Sequence, residues 1–240
     1  MNTLVKTISF ITLFSIAMGY MEAAVVVYLR ELFYPTGFDF PLVQMSVDIT
    51  VVEISREAAT IIMLILIGTI AGKNSLQRFS FFIYCFAVWD IFYYLFLKII
   101  LNWPLSLLTW DILFLIPVPW VGPVITPVIV SLTMILLTLI VVVFDEKGYS
   151  PSFSLPVWLL LLSGALIIIY SFVYDYFSFL KEKEYSSAIW KLNSDNDAVT
   201  DLTDYFPKKF NWFLFIFGEI TLLGAIILFV YETIKKKPVK

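Results

Sequence analysis

The chain of 240 residues is 60% hydrophobic, 18% aromatic and 15% charged, with a formal net charge of −3. It contains no His and a single Cys, Cys85. These counts exclude haem ligation by His, His-zinc sites, Cys-cluster metal sites and an intrachain disulfide. The small net charge gives no argument for a nucleic-acid partner. A mean hydropathy of +0.91 is not that of a soluble protein.

Six long apolar runs follow one another, and each is long enough to cross the hydrocarbon core of a bilayer as a helix. They lie at about 7–29, 47–72, 79–101, 123–144, 156–178 and 211–232. The sequence therefore predicts a single all-α membrane domain, 1–240, built as a six-helix transmembrane bundle. The predicted location is a multi-pass position in a lipid bilayer, which is the cytoplasmic membrane if the chain is bacterial.

The stretch 103–122 is apolar but interrupted by Pro104, Pro117, Pro119 and Asp111. Its proline-free core of about a dozen residues suits a re-entrant or interfacial segment better than a seventh span. With six spans, the Lys and Arg residues of the short connections gather on the side of both termini. The positive-inside rule then predicts cytoplasmic termini and places 103–122 and the loop 179–210 on the outer side.

Ionisable residues inside the predicted spans are the main indication of a site, because a charge at bilayer depth needs a partner, water or neutralisation. The acids are Glu22, Glu53, Glu57, Asp90 and Glu219, and the only clear base is Arg56. Five buried carboxylates and one Arg cannot all be ionised, so the sequence predicts that a proton or a bound cation neutralises some of them.

Two of the spans carry one-sided polar stripes. Glu53, Arg56 and Glu57 share one face of the second span at helical spacing, and Asp90, Tyr93 and Tyr94 form a stripe on the third. In the six-span topology all five acids lie at or outward of the midplane. We therefore expect a polar cavity that opens to the extracytoplasmic side.

Two residues of the 103–122 segment, Trp110 and Asp111, are candidates for a lid over this cavity. Carboxylate, Tyr and carbonyl oxygens without His or Cys favour a proton, Na⁺, Mg²⁺ or Ca²⁺ over zinc or copper. No cofactor motif is recognised. A second oxygen-rich stretch, Asn193 to Asp204, has ligands at EF-hand spacing, but Ala198 stands where that loop requires Gly.

Several motifs of the second to fourth spans look like known proteins. The Glu53–Glu57 spacing resembles pairs in membrane phosphatases and metal-dependent enzymes, although no phosphate-binding motif accompanies it. The Trp89-Asp90-Ile-Phe-Tyr-Tyr run, the Leu107–Asp111 run and the proline-rich run from Phe114 to Pro123 resemble an uncharacterised group of bacterial multi-span membrane proteins. That resemblance implies a membrane location and no activity.

Three functions remain open on these observations. The leading hypothesis is a carboxylate–Arg–Tyr site that binds a cation or proton with a small or lipidic ligand, for transport. In the alternative, an intramembrane enzyme uses a carboxyl as general acid/base, or a carboxylate-bound Mg²⁺, on a lipid or isoprenoid substrate. No catalytic motif is present, so no catalytic residue is assigned. In the second alternative, the protein is a subunit or assembly factor of a membrane complex, and its charges only pair with helices of another subunit. A purely structural interpretation is that the charges form bonds between helices of the bundle.

Overall fold

A computed structural model describes residues 3–182 and 205–236. The elements, renumbered in chain order, are α1 (Thr3–Phe33), α2 (Val47–Ala71), α3 (Ser75–Leu101), β1 (Trp110–Phe114), β2 (Trp120–Pro123), α4 (Ile125–Glu146), α5 (Leu155–Glu182) and α6 (Trp212–Lys235). All six helices are long and apolar enough to cross a membrane. Each coincides with one of the apolar runs, which supports the predicted multi-pass membrane protein.

Four of the described helices begin at a polar side chain that accepts a hydrogen bond from their first turn, among them α5, where Ser154 Oγ accepts from Val157. Ser46 Oγ accepts from the backbone N–H of Ile49 at the start of α2, and Asn74 Oδ1 accepts from Gln77 at the start of α3. Asn211 caps α6 in the same way. Such side chains satisfy N–H groups that have no partner within the helix.

The segment 103–122 contains two strands that the sequence analysis did not identify. Strand β1 pairs antiparallel with β2, with Asp111 opposite Gly122 and an irregularity between Ile112 and Phe114. Pro117 and Pro119 in the connection are incompatible with a helix interior, and the Trp, Ile and Phe residues of β1 favour a strand. The membrane-crossing elements are thus all helical, as predicted, while this connection folds as a β-hairpin.

Glycines bring the helices into backbone contact in two groups. A Cβ atom at Gly68 of α2 would lie 2.5 Å from the backbone nitrogen of Phe82 in α3, and one at Gly19 of α1 would lie 2.9 Å from the carbonyl oxygen of Trp89. Cβ atoms at Gly164 of α5 and Gly218 of α6 would each lie 3.1 Å from the other residue's carbonyl oxygen. Helix α3 therefore packs tightly on α1 and α2, and α5 packs tightly on α6.

The two ends of the bundle differ in character. At one end Gln77 at the start of α3 donates to Asp145 at the end of α4 at 2.7 Å, and Lys236 at the end of α6 donates to Ser152 in the α4–α5 connection at 2.8 Å. The hairpin, the α1–α2 connection and the end of α5 meet at the other end, around the fully buried Tyr205. Most of the predicted outer loop 179–210, including the acidic stretch 193–204, lies outside the described residues.

Candidate functional site

A cavity of about 410 Å³ lies at the hairpin end of the bundle. Residues of α1, α2, α3, the hairpin and the end of α5 form its wall. Most of the wall is apolar, as in Val26, Leu29, Phe33, Leu42, Met45, Ile54, Phe114, Leu115 and Val118. The exposed side chains of Val43 and Ile54 lie at its rim. The volume is within the range of small-molecule sites, roughly 300–1,000 Å³.

The guanidinium of Arg56 lies between two carboxylates of the cavity wall. Its Nη1 forms an ion pair with Glu22 of α1, and its Nη2 lies 2.8 Å from Glu53 Oε2, one turn away on α2. Thr60 Oγ1 also donates to Glu22, at 3.3 Å. Glu22 and Glu53 are 9% and 5% exposed. This network joins α1 to α2 and brings together three residues that the sequence analysis had selected on two separate spans.

Glu57 and Asp90 also line the cavity, but they are held by neutral donors. Both carboxylate oxygens of Glu57 accept from the backbone N–H of Leu115 in the hairpin connection, at 2.9 and 3.2 Å. Asp90 accepts from the hydroxyl of Ser131 in α4 at 2.9 Å. Within the described residues, neither carboxyl forms an ion pair. Glu57 therefore ties the hairpin to α2, and Asp90 ties α3 to α4.

The second cation of the cavity is Arg30, in the last turn of α1. Its guanidinium carbon lies 3.7 Å from the ring centre of Trp103 and 4.5 Å from that of Phe38. Its Nη2 donates to Asp111 Oδ1 at 3.4 Å, and the hydroxyl of Tyr94 donates to Asp111 Oδ2 at 3.2 Å. Aromatic faces attract cations, so Arg30 is held by stacking as well as by Asp111.

Burial raises the pKa of Asp111 to about 6, while Arg30 and the hydrogen bonds from Tyr94 and the backbone of Ile112 act in the opposite direction. Asp111 lies in the hairpin, outside the membrane-spanning helices, and it is 2% exposed. This pKa lies within the pH range found in and around cells, so the Asp111 carboxyl can gain or lose a proton there.

The sequence-selected residues fall into two groups. Those that line the cavity are Glu22, Glu53, Arg56, Glu57, Asp90, Tyr93 and Asp111. Tyr94 lies behind the cavity as the partner of Asp111, and Trp110 packs against Phe210, with 6.2 Å between ring centres. Glu219 accepts from Thr133 of α4 at 2.9 Å and is not part of the cavity wall.

Arg30 and Tyr34 line the cavity and were not selected from the sequence. Arg30 lies just beyond the first apolar run, so it did not count among the charges inside the predicted spans. Its partner Asp111 is 81 positions away. The signal in the sequence was Asp111 itself, because an acid within an apolar, proline-rich connection needs a basic partner nearby.

No group of three or more Cys, Asp or Glu side chains in the described part of the chain is arranged to hold a metal ion. Binding of Na⁺, Mg²⁺ or Ca²⁺ stays a prediction. Comparisons of the chain with protein-family models, curated proteins and solved structures found no match.

Proposed function

We propose that the protein binds an amphipathic small or lipidic molecule in this cavity, together with a proton or cation, and moves it. The observation that carries the proposal is one cavity whose wall is largely apolar but holds the Glu22–Arg56–Glu53 network and three further carboxyls. An apolar wall binds hydrocarbon, and the few polar groups orient the rest of a ligand. By the positive-inside rule, the cavity opens to the extracytoplasmic side.

The polar residues have different roles in this proposal. Arg56 is paired with both Glu22 and Glu53, so these three side chains form a fixed part of the site. Glu57 and Asp90 accept only from neutral donors within the described residues. They are therefore the positions where a proton or cation would be taken up and released. Because Glu57 also holds Leu115, such exchange would act directly on the hairpin that covers the cavity.

Binding is tested by the molecules that co-purify with the protein from its membrane, identified by mass spectrometry. Ile54→Trp adds a large side chain at the cavity rim, and Ile220→Trp adds the same side chain on α6, which contributes nothing to the described cavity wall. Both positions are exposed, at 41% and 61%. We expect a lipid-like molecule to be retained by the wild type and Ile220→Trp and lost from Ile54→Trp. Identical content in all three would refute the proposal.

Movement is tested with the molecule so identified, in proteoliposomes that contain a pH-sensitive dye. We expect the unchanged molecule to cross the bilayer with a change in internal pH that the empty vesicles lack. Recovery of a chemically altered molecule would instead favour the intramembrane enzyme.

Orientation is tested with single cysteines in a Cys85→Ser background. Gln44 and Lys73 are both exposed and lie at opposite ends of α2. We expect a membrane-impermeant maleimide to label Gln44→Cys in intact cells, and Lys73→Cys only after the membrane is opened. The reverse pattern would show that the cavity opens to the cytoplasm.

A further inference from the structure

We propose that the ligand of the cavity is a lipophilic organic cation. This inference rests on the proposed binding function and adds the charge and class of the ligand to it. It follows from the balance of charges in the wall, from the aromatic residues beside them and from the apolar surface around both.

The charges of the cavity wall do not balance. Five carboxyls line it, those of Glu22, Glu53, Glu57, Asp90 and Asp111, against the guanidinium groups of Arg30 and Arg56. Arg56 is shared by two of the carboxylates and Arg30 is paired with a third. A buried charge needs a partner of opposite sign, so a positive ligand fits this surplus, whereas a negative ligand would add repulsion.

Aromatic rings line the same cavity as these carboxyls. Phe33, Tyr34, Phe38, Tyr93 and Phe114 contribute to the wall. The face of an aromatic ring attracts a cation by about 0.5–2 kcal/mol, the larger values applying where water is excluded. Arg30, held over Phe38 and Trp103, shows that rings at this end of the bundle already bind a cation in this way.

The apolar surface of the cavity favours an organic cation over an inorganic ion. Ca²⁺ takes six to eight oxygen ligands, and Mg²⁺ takes six, at short distances. No three acidic side chains of the described residues are grouped as metal ligands, and Glu57 and Asp90 are held by different elements, the hairpin connection and α4. Much of the wall around the cavity of about 410 Å³ is apolar. A cation that carries hydrocarbon groups fills this volume and places its charge near Glu57 and Asp90.

Two probes of similar size and shape and opposite charge test this inference. These are tetraphenylphosphonium and tetraphenylborate, and their affinities are measured by equilibrium dialysis against the purified full chain in a neutral detergent. Protein-free micelles correct for partition into detergent. We expect the phosphonium to bind at least ten times more tightly than the borate.

Variants of the cavity carboxyls show where the phosphonium binds. Glu57→Gln and Asp90→Asn each remove one carboxyl from the cavity, and we expect each to weaken phosphonium binding at least tenfold. Glu219→Gln is the matched control, because it neutralises a buried carboxyl that lies outside the cavity wall. We expect it to change the affinity less than twofold. Size-exclusion chromatography confirms folding, and the two cavity variants serve as alternatives if one of them does not fold.

The outcomes separate this inference from the proposed function. One contrary result is that the two probes bind equally well, or the borate binds better, and that Ile54→Trp weakens both. This result would overturn the inferred positive charge of the ligand but would still support binding in the cavity. Phosphonium binding that is unchanged in both Glu57→Gln and Asp90→Asn would also overturn it. If neither probe binds the wild type, the inference is wrong, and the co-purification measurement alone decides the proposed function.

Discussion

Substitution of Arg56 by Met removes the cation that lies between Glu22 and Glu53 while it keeps a long unbranched side chain. Both carboxylates are almost fully buried, so water cannot replace the lost guanidinium at full strength. Removing one partner of a buried ion pair costs about 3–5 kcal/mol. Because the Arg56 side chain is 20% exposed, we expect the lower end of this range, about 3 kcal/mol.

The assay is thermal unfolding of the purified protein in detergent, followed by tryptophan fluorescence. For a chain of this size, 1 kcal/mol corresponds to about 2–4 °C, so Arg56→Met should lower the Tm by roughly 6–12 °C. Arg78→Met is the matched control, since Arg78 is exposed and lies at the other end of the bundle. We expect that control to unfold close to the wild type.

A triple variant isolates the cause. If the loss in Arg56→Met arises from two unpaired carboxylates, then adding Glu22→Gln and Glu53→Gln should restore more than half of it. A Tm of Arg56→Met no lower than that of Arg78→Met would refute the reasoning. So would a triple variant that is less stable than Arg56→Met, because the carboxylates would then be stabilising without their cation.

Three further predictions use the same unfolding assay. The pKa of Asp111 is raised from 3.8 to about 6 in the folded state, so its contribution to stability is full below pH 4 and is lost as the pH rises through 6. The wild type should therefore gain more stability than Asp111→Asn between pH 7.5 and 5.5. Gly68→Ala should cost about 1–3 kcal/mol, because its Cβ meets the Phe82 backbone. Gly224→Ala should stabilise by up to about 1 kcal/mol, since a Cβ there meets no described atom within 4 Å.

A specific result would contradict each of these predictions. An equal response to pH in the wild type and Asp111→Asn would mean that another group controls this range. Equal stability of Gly68→Ala and Gly224→Ala would show that α2 and α3 can separate without cost, contrary to the close backbone approach at Gly68.

The helices could be predicted because their signal is local. An apolar run of some 20 residues has few alternatives to a membrane helix, and the polar stripe of Glu53, Arg56 and Glu57 follows from helical spacing alone. That the stripe meets Glu22 depends on α1 lying beside α2, which spacing does not encode. The sequence therefore predicted the residues of the network but not their contacts.

The prolines of 103–122 argued against a span, but a short apolar run does not by itself distinguish a strand from a buried helix segment, so the local pairing of β1 with β2 was missed. The contacts of Arg30 could not be predicted, because they join residues far apart in the sequence. Arg30 meets its ring partner Trp103 only when α1 packs on α3. Glu219 was predicted to share a site with Asp90, but it does not. Helix α4 lies between them and donates the Ser131 hydroxyl to Asp90 and the Thr133 hydroxyl to Glu219.

The close glycine contacts define two groups of tightly packed helices, α1–α2–α3 and α5–α6, while α4 packs mainly on α3. Where backbones touch, no side chain can change rotamer to let one helix slide past its neighbour. The cavity wall contains residues of both groups, with Tyr176 and Leu180 contributed by α5. A shift of α5 and α6 against the other helices would therefore change the volume of the cavity.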